Sequence, residues 1–513
     1  MDLPIKDSEI AVAPAHAHMP DDVLPQQPSF DYAITLQKLR ELAKDVVARG
    51  ANVTAISDAQ RPEFRQAWDT ILLDQSFRYA ASASPHYERV LAEAGLTNGL
   101  AQAEDIQKLP CTRKADIVAD HRAFLSRHAP AEEFSCTSGT TSERLTLYRT
   151  KNEIASQILI GLLRSHEPHQ SPGIALRIVP AMRRLLSRKS EGQFLDLDTG
   201  KTALPGKDRL LFVYSQRDNG MLWFDSTDHL TQVIWDSYDL QRLRKQIDQI
   251  HCTPPFIFNV ITQKLLERGI DPSTSGVKDI ILTGGPVTGR ERRLVEKHWK
   301  ARFKTSFSCT EVCCEAPECP LHPGLYHTWL TSFSEVLDTK TFQPVRPGGH
   351  GLLALTSYYP FQQATPLIRY LTDDIVEAVD GMCACGASGP SFRFVGRTKH
   401  CIDLSDLCDR GWFLGSHAVL EAVSDIDQIP ADPAPRFLLS RKDIGDATIL
   451  SVEIESNYHR TFDVAATSQL IASRLAAHVG DHAPLLQGRE IRVEAVLHNK
   501  GSMADFFSLY PAR

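Results

Sequence analysis

A surplus of basic charge is missing from this sequence: 56 Lys and Arg stand against 63 Asp and Glu, for a formal net charge of -7. Gripping a nucleic-acid backbone takes a cationic face that neutralises several phosphates, so that class of partner is excluded. Long apolar runs are missing too. Nowhere do about 18 consecutive apolar residues occur, the length a membrane-crossing helix requires. The first residues, MDLPIKDSEIAVAPAHAHMPDD, have no basic end followed by an apolar stretch. The expectation is a cytoplasmic protein with no membrane partner. Cysteine is sparse, with 11 in 513 residues, which excludes a disulfide framework. Six of the 11 nevertheless fall between Cys309 and Cys385, and clustering of that kind points to a metal.

What is present is enough apolar residue, 42% of 513 positions, to bury more than one core, so two or three domains are expected. Residues 1–29 are rich in Pro, Ala and His without apolar periodicity and read as a tail. Apolar spacing predicts helices over Tyr32 to Ala48 and over about Phe64 to Ala94. Strand-like and helical runs then alternate: LRIVPA, RLLFVYS, LTQVIWDSYDLQRLRKQIDQI, FIFNVITQKLLERGI and KDIILTGG. That alternation predicts an α/β domain, residues 30–396, with a mostly parallel sheet covered by helices. Past Arg397 the order changes to a helix near Ser416, strands at RFLLSRK and ATILSVEIES, a helix from Val464 and a strand at REIRVEAVL. Residues 397–513 therefore read as a small α+β domain with its own core.

The segment SCTSGTTSERLTLYRT holds a compact loop of Thr137, Ser138, Gly139, Thr140 and Thr141. Glycine lets backbone N–H groups approach an anion closely, and the hydroxyls add donors, so such a loop suits phosphate. It lacks the Gly-Lys-Ser/Thr of a Walker loop, and alone it is equally an ordinary polar turn. Four more segments follow in order: ILTGG at Ile281 to Gly285, SCTEV at Ser308 to Val312, PLIRYLTDDI at Pro366 to Ile375, and Gly396 with Arg397. Together these resemble the adenylate-forming ligase superfamily. SPHYERVLAEAGL, KLPCTRKADI and PLIRY resemble its phenylacetate-coenzyme A ligase branch. The resemblance covers Phe30 to Arg397; beyond that, the domain pattern agrees and the motif wording does not.

The resemblance implies a large N-terminal adenylate-forming domain and a small C-terminal lid. It also implies a two-step reaction: a small carboxylic acid, aromatic by family default, takes AMP from ATP with release of pyrophosphate, and its acyl group then passes to coenzyme A. Transfer to an amine or a carrier-protein thiol, or a catalytically silent nucleotide-binding relative, is the alternative, and a homodimer is left open. Carried over by position, Thr137 to Thr141 would hold phosphates, Gly284 and Gly285 would lie against adenine, and Glu311 would anchor Mg2+. Asp374 would accept from both ribose hydroxyls, as only an ionised carboxylate offers a vicinal diol two strong acceptors. Arg397 would contact the nucleotide. Phe256 and Phe258 would line the acyl pocket, although the core is the ordinary place for each.

The chain also departs from the family pattern. Ser142, Glu143 and Arg144 stand where the loop usually continues Gly-Lys-Pro, and Thr398, Lys399 and His400 follow the hinge arginine in place of acids. Lys500, in LHNKGSMADFF, is the candidate for the catalytic lysine of adenylation, without the family's surrounding motif. The stretch from Gly161 to Gly220 matches poorly and reads as an insertion.

For the cysteine cluster, Cys319 and His327 in ECPLHPGLYHTW with Cys383 and Cys385 in GMCACG supply three thiolates and one imidazole, the donor set of a closed, structural zinc site. Cys313, Cys314 and His322 compete for the same role. Some members of the resembled branch carry such a zinc between these two places.

Overall fold

The computed structural model describes residues 61–131, 133–136, 145–150, 153, 194–195, 202–203, 210–215, 220–224, 249–253, 255–312, 314–328, 330–379, 381, 383–387, 389–407, 411–426, 429, 436–456, 463–480, 490–499 and 507–508. The expected tail, the expected helix at Tyr32 to Ala48 and most of the expected insertion lie outside them. Among the described residues no helix is long and apolar enough to cross a membrane.

Where one helical stretch was expected from Phe64 to Ala94, two helices form, Arg61–Ala83 and Pro85–Glu93. The break is local chemistry. Pro85 has no N–H to continue the ladder, and Ser84 turns extended, its hydroxyl accepting from Tyr87 N. Leu72, Leu73, Phe77, Tyr87 and Leu91 of this pair are buried in a core shared with Leu355 and Phe392 of a later sheet and with Tyr358 just past one of its strands.

The first large sheet has six strands. From one edge these are Cys314–Pro317, Arg302–Cys309, Asp279–Thr283, Gln249–Thr253, Leu210–Ser215 and Gly220–Phe224. Only the middle three run parallel. The parallel part is thus narrower than the alternating pattern suggested: the two edge strands follow connections too short for a crossover helix and return antiparallel, and Leu210–Ser215 also pairs antiparallel with Gln249–Thr253. The helix Phe256–Glu267 is the crossover between two of the parallel strands, and its Phe258, Ile261 and Leu265 pack with Ile280, Leu282 and Trp299.

The second sheet, five antiparallel strands in the order Leu325–His327, Ser391–Arg397, Tyr370–Val379, His350–Ser357 and Ser332–Leu337, was not read from the sequence. Two segments carrying the family resemblance meet on it. Thr112 of KLPCTRK and Arg369 and Leu371 of PLIRYL exchange backbone hydrogen bonds of 3.0 and 2.9 Å, and the Arg369 guanidinium donates to Leu109 O at 2.6 Å. Arg369 also pairs with buried Glu335 at 3.2 Å, so neither buried charge is left uncompensated.

The last hundred residues form the expected helix, Ser416–Ala422, and a four-stranded sheet. In it Ala447–Ser456 pairs antiparallel with Arg436–Ile444 and parallel with Glu490–Asn499, across the helix Val464–Gly480. Val419, Val423, Ile454, Ile471 and Leu475 form its core. One contact seats this part on residues before Arg397. The Arg290 guanidinium donates to the carbonyls of Val423, Ser424, Ile426 and Ile429 at 2.8 to 3.2 Å, and Gly289 N donates to Glu421.

Candidate functional site

Strands Asp279–Thr283 and Arg302–Cys309 run parallel and side by side, with Thr283 opposite Ser306, so both open at the same edge of the sheet. Carboxyl ends of parallel strands are where an α/β sheet offers loops to a ligand. Gly284 and Gly285 leave the first of these ends. Gly284 has φ +73, a conformation glycine adopts without steric cost. Glu311 leaves the second, in the turn before the chain returns along Cys314–Pro317.

That turn is stitched on several sides. The Gln362 amide donates to Glu311 O at 3.0 Å, and Arg149 donates to the carbonyls of Thr310 and Glu311. Arg149 ends the hairpin of Glu133–Cys136 with Thr146–Arg149, whose connection contains Thr137 to Thr141. The loop itself lies outside the described residues; the hairpin that carries it rests on the Glu311 turn. At the side chain, the Tyr370 hydroxyl donates to Glu311 Oε1 at 3.0 Å, and the Cys309 thiol donates to Oε2 at 3.4 Å.

Tyr370 begins the strand that carries Asp374. In that strand Asp373 has φ +61, and the register slips between Ile375 and Val376, a bulge of the kind that re-aims side chains beside binding sites. Asp374 is buried, opposite Arg397 on the neighbouring strand, with Arg397 Nε 3.1 Å from Asp374 Oδ1. Arg397 also donates to Thr372 O at 2.6 Å. Burial pushes the Asp374 carboxyl up to about 6, with Arg397 opposing the shift and the charges of Glu311 and Asp373 adding to it. Arg397 is raised in turn, chiefly by Asp374, with Cys309, Glu311 and Asp373 contributing. Glu311, Asp374 and Arg397 thus sit within each other's electrostatic reach, 63 and 86 residues apart in sequence.

Other expected residues fall elsewhere. Lys500 lies outside the described residues, as does the Phe256 side chain. Phe258 is fully buried with its ring 5.7 Å from that of Trp299, a core position between helix and sheet. Tyr370, Cys309, Arg149 and Gln362 were not singled out. Tyr370 stood in a quoted motif, but no spacing tells that its hydroxyl meets Glu311.

Cys319, His327, Cys383 and Cys385 come together with all four donor atoms within 4.8 Å of one another. His327 Nδ1 is held by Ser391 Oγ at 2.8 Å, which leaves Nε2 facing Cys385 Sγ at 3.3 Å. The N–H groups of Leu321 and Ala387 point at the sulfurs of Cys319 and Cys385. Three sulfurs, one free imidazole nitrogen and a hydrogen bond orienting the ring fit a tetrahedral zinc with its outer partners in place. Of the competitors, His322 Nδ1 flanks Cys319 and Cys383 at 3.4 and 3.3 Å without joining the mutual set. Cys314 stands opposite Cys309 in the sheet, and Cys313 lies outside the described residues.

No protein-family model matches the chain. A phenylacetate-coenzyme A ligase of Thermus thermophilus is 24% identical over 393 residues, 74% of this chain and 80% of that protein. Among solved structures, 2-hydroxyisobutyryl-CoA ligase in the postadenylation state with 2-HIB-AMP superposes with a TM-score of 0.57 at 17% identity over 90% of each chain. The open conformation of that ligase, with 2-HIB-AMP and CoA, gives a TM-score of 0.53 at 16% identity over 88% of this chain and 91% of that one. At such identities the superpositions speak for the fold, and the sequence match speaks for the branch. The chain thus shares the fold of these adenylate-forming ligases, and in sequence it is similar to a phenylacetate-coenzyme A ligase.

Proposed function

We propose that this chain is an ATP-dependent acid-thiol ligase for a small, aromatic or arylacetic carboxylic acid. The observation that carries the reading is the Tyr370 to Glu311 hydrogen bond, which joins the strand of Asp374 and the turn of Glu311 across two sheets. In the first step the acid's carboxylate oxygen attacks the α-phosphorus of ATP, and pyrophosphate leaves. In the second a thiol sulfur attacks the acyl carbon, and AMP leaves with the electron pair of the cleaved bond. Coenzyme A is the thiol in this reading.

The protein's part is placement and charge. Asp374 accepts from the ribose hydroxyls with Arg397 beside it, and Gly284 and Gly285 leave room for the base. Glu311 would hold a Mg2+ through oxygens that keep lone pairs beyond the two hydrogen bonds they already accept. Bound Mg2+ would supply charge neutralisation at the phosphates. Zinc at Cys319, His327, Cys383 and Cys385 would join two loops as a structural clamp, with no open position for catalysis.

Pyrophosphate exchange with a panel of organic acids tests this. We expect exchange that requires Mg2+ and an acid and falls by about two orders of magnitude or more in Glu311→Ala and Asp374→Ala. ATP binding without exchange for any acid would refute the reading. Coenzyme A, a carrier-protein thiol and amines offered as acceptors then separate the second step.

A further inference from the structure

Glu311 has an arrangement at both oxygens that a lone cation-binding carboxylate in a turn does not require. Oε1 receives the Tyr370 hydroxyl at 3.0 Å, Oε2 receives the Cys309 thiol at 3.4 Å, and the peptide oxygen behind them is held by Gln362 and Arg149. Tyr370 and Cys309 are both buried, so neither donor exchanges freely with water. A glutamate side chain has three rotatable bonds, and ordering it costs rotamer freedom. Two donors from two different sheets meet that cost before any ligand arrives.

We propose that Tyr370 is a positioning residue that fixes the Glu311 carboxylate for the divalent cation, with Cys309 steadying the other oxygen. The inference rests on the functional reading above and extends it to residues that do not themselves touch nucleotide. A phenol and a thiol each carry one hydrogen to donate, and both are aimed at the carboxylate. Each oxygen of an ionised carboxylate has a second acceptor site, so the clamp leaves room for a metal. Partners of this outer kind typically carry a factor of 10 to 100 in metal affinity.

The test reads binding, not turnover. ATP affinity is measured by calorimetry across a Mg2+ series for the full-length protein and for Tyr370→Phe, Glu311→Gln and the double variant, with thermal melting alongside. In Tyr370→Phe the Mg2+ concentration for half-maximal tightening is expected to rise about tenfold. Adding Tyr370→Phe to Glu311→Gln should change the Mg2+ dependence no further, because the phenol acts through that carboxylate. Cys309→Ala should give a smaller rise and Cys309→Ser, which keeps a donor, should restore it; this pair carries the test should Tyr370→Phe not fold. A Tyr370→Phe titration matching wild type, or the same added penalty in the Glu311→Gln background, overturns the positioning role alone. ATP affinity indifferent to Mg2+ in the wild type overturns the functional reading, and the positioning role with it.

Discussion

A carboxylate beside a guanidinium ordinarily titrates low, yet Asp374 is pushed up to about 6 because burial outweighs Arg397. Its folded value lies above the ordinary aspartate value of 3.8, so between those values the folded chain holds more proton than the unfolded one. The contribution of this group to stability is therefore fully present below about 4 and is lost as pH rises through about 6. Asp374→Asn should flatten that part of the stability curve, as urea midpoints from pH 4 to 7 will show. Binding has the opposite sign: a ribose diol needs the ionised form, so ATP affinity should tighten as pH rises through about 6 in wild type. In Asp374→Asn it should be weak and level; a level wild-type profile would deny Asp374 the ribose. Asp374 and Glu311 were singled out only through the order of motifs around them. The pairing with Arg397 and the Tyr370 contact were not legible, since they depend on a strand register and on two sheets meeting.

Legibility of the elements followed burial. Strand Ala447–Ser456 keeps an alternating buried face over most of its length, and a strand was read at ATILSVEIES. Strand His350–Ser357 is buried at every position, which erases alternation, and the five-stranded sheet around it passed unseen. The strand ending at Arg397 adds a constraint of its own. A Cβ on Gly396 would lie 2.8 Å from Cys401 Sγ and 2.9 Å from Ser416 N, where the chain enters its last part. Gly396→Ala should therefore cost about 1 to 3 kcal/mol as overpacking, read as a lower urea midpoint. An unchanged midpoint would mean that these segments separate freely.

At the scale of the whole molecule, the segment around Cys319 to His327 and the turn of Cys383 and Cys385 are 56 residues apart between His327 and Cys383, and they meet where Leu325–His327 pairs with the strand that follows that turn. Purified protein should carry about one equivalent of zinc, and Cys383→Ser or prolonged chelation should lower both metal content and melting temperature. Less than about half an equivalent would count against the site. The cluster of Cys319, His327, Cys383 and Cys385 was picked out because cysteine is otherwise scarce, with His322 as a competitor for His327.

The Arg290 contact holds the chain beyond Arg397 through main chain. Its guanidinium addresses peptide oxygens of Val423, Ser424, Ile426 and Ile429 and ignores what their side chains are. A mooring written in main chain survives almost any spelling that keeps the same bend, so the letters there are at liberty to drift while the two parts stay berthed in one way.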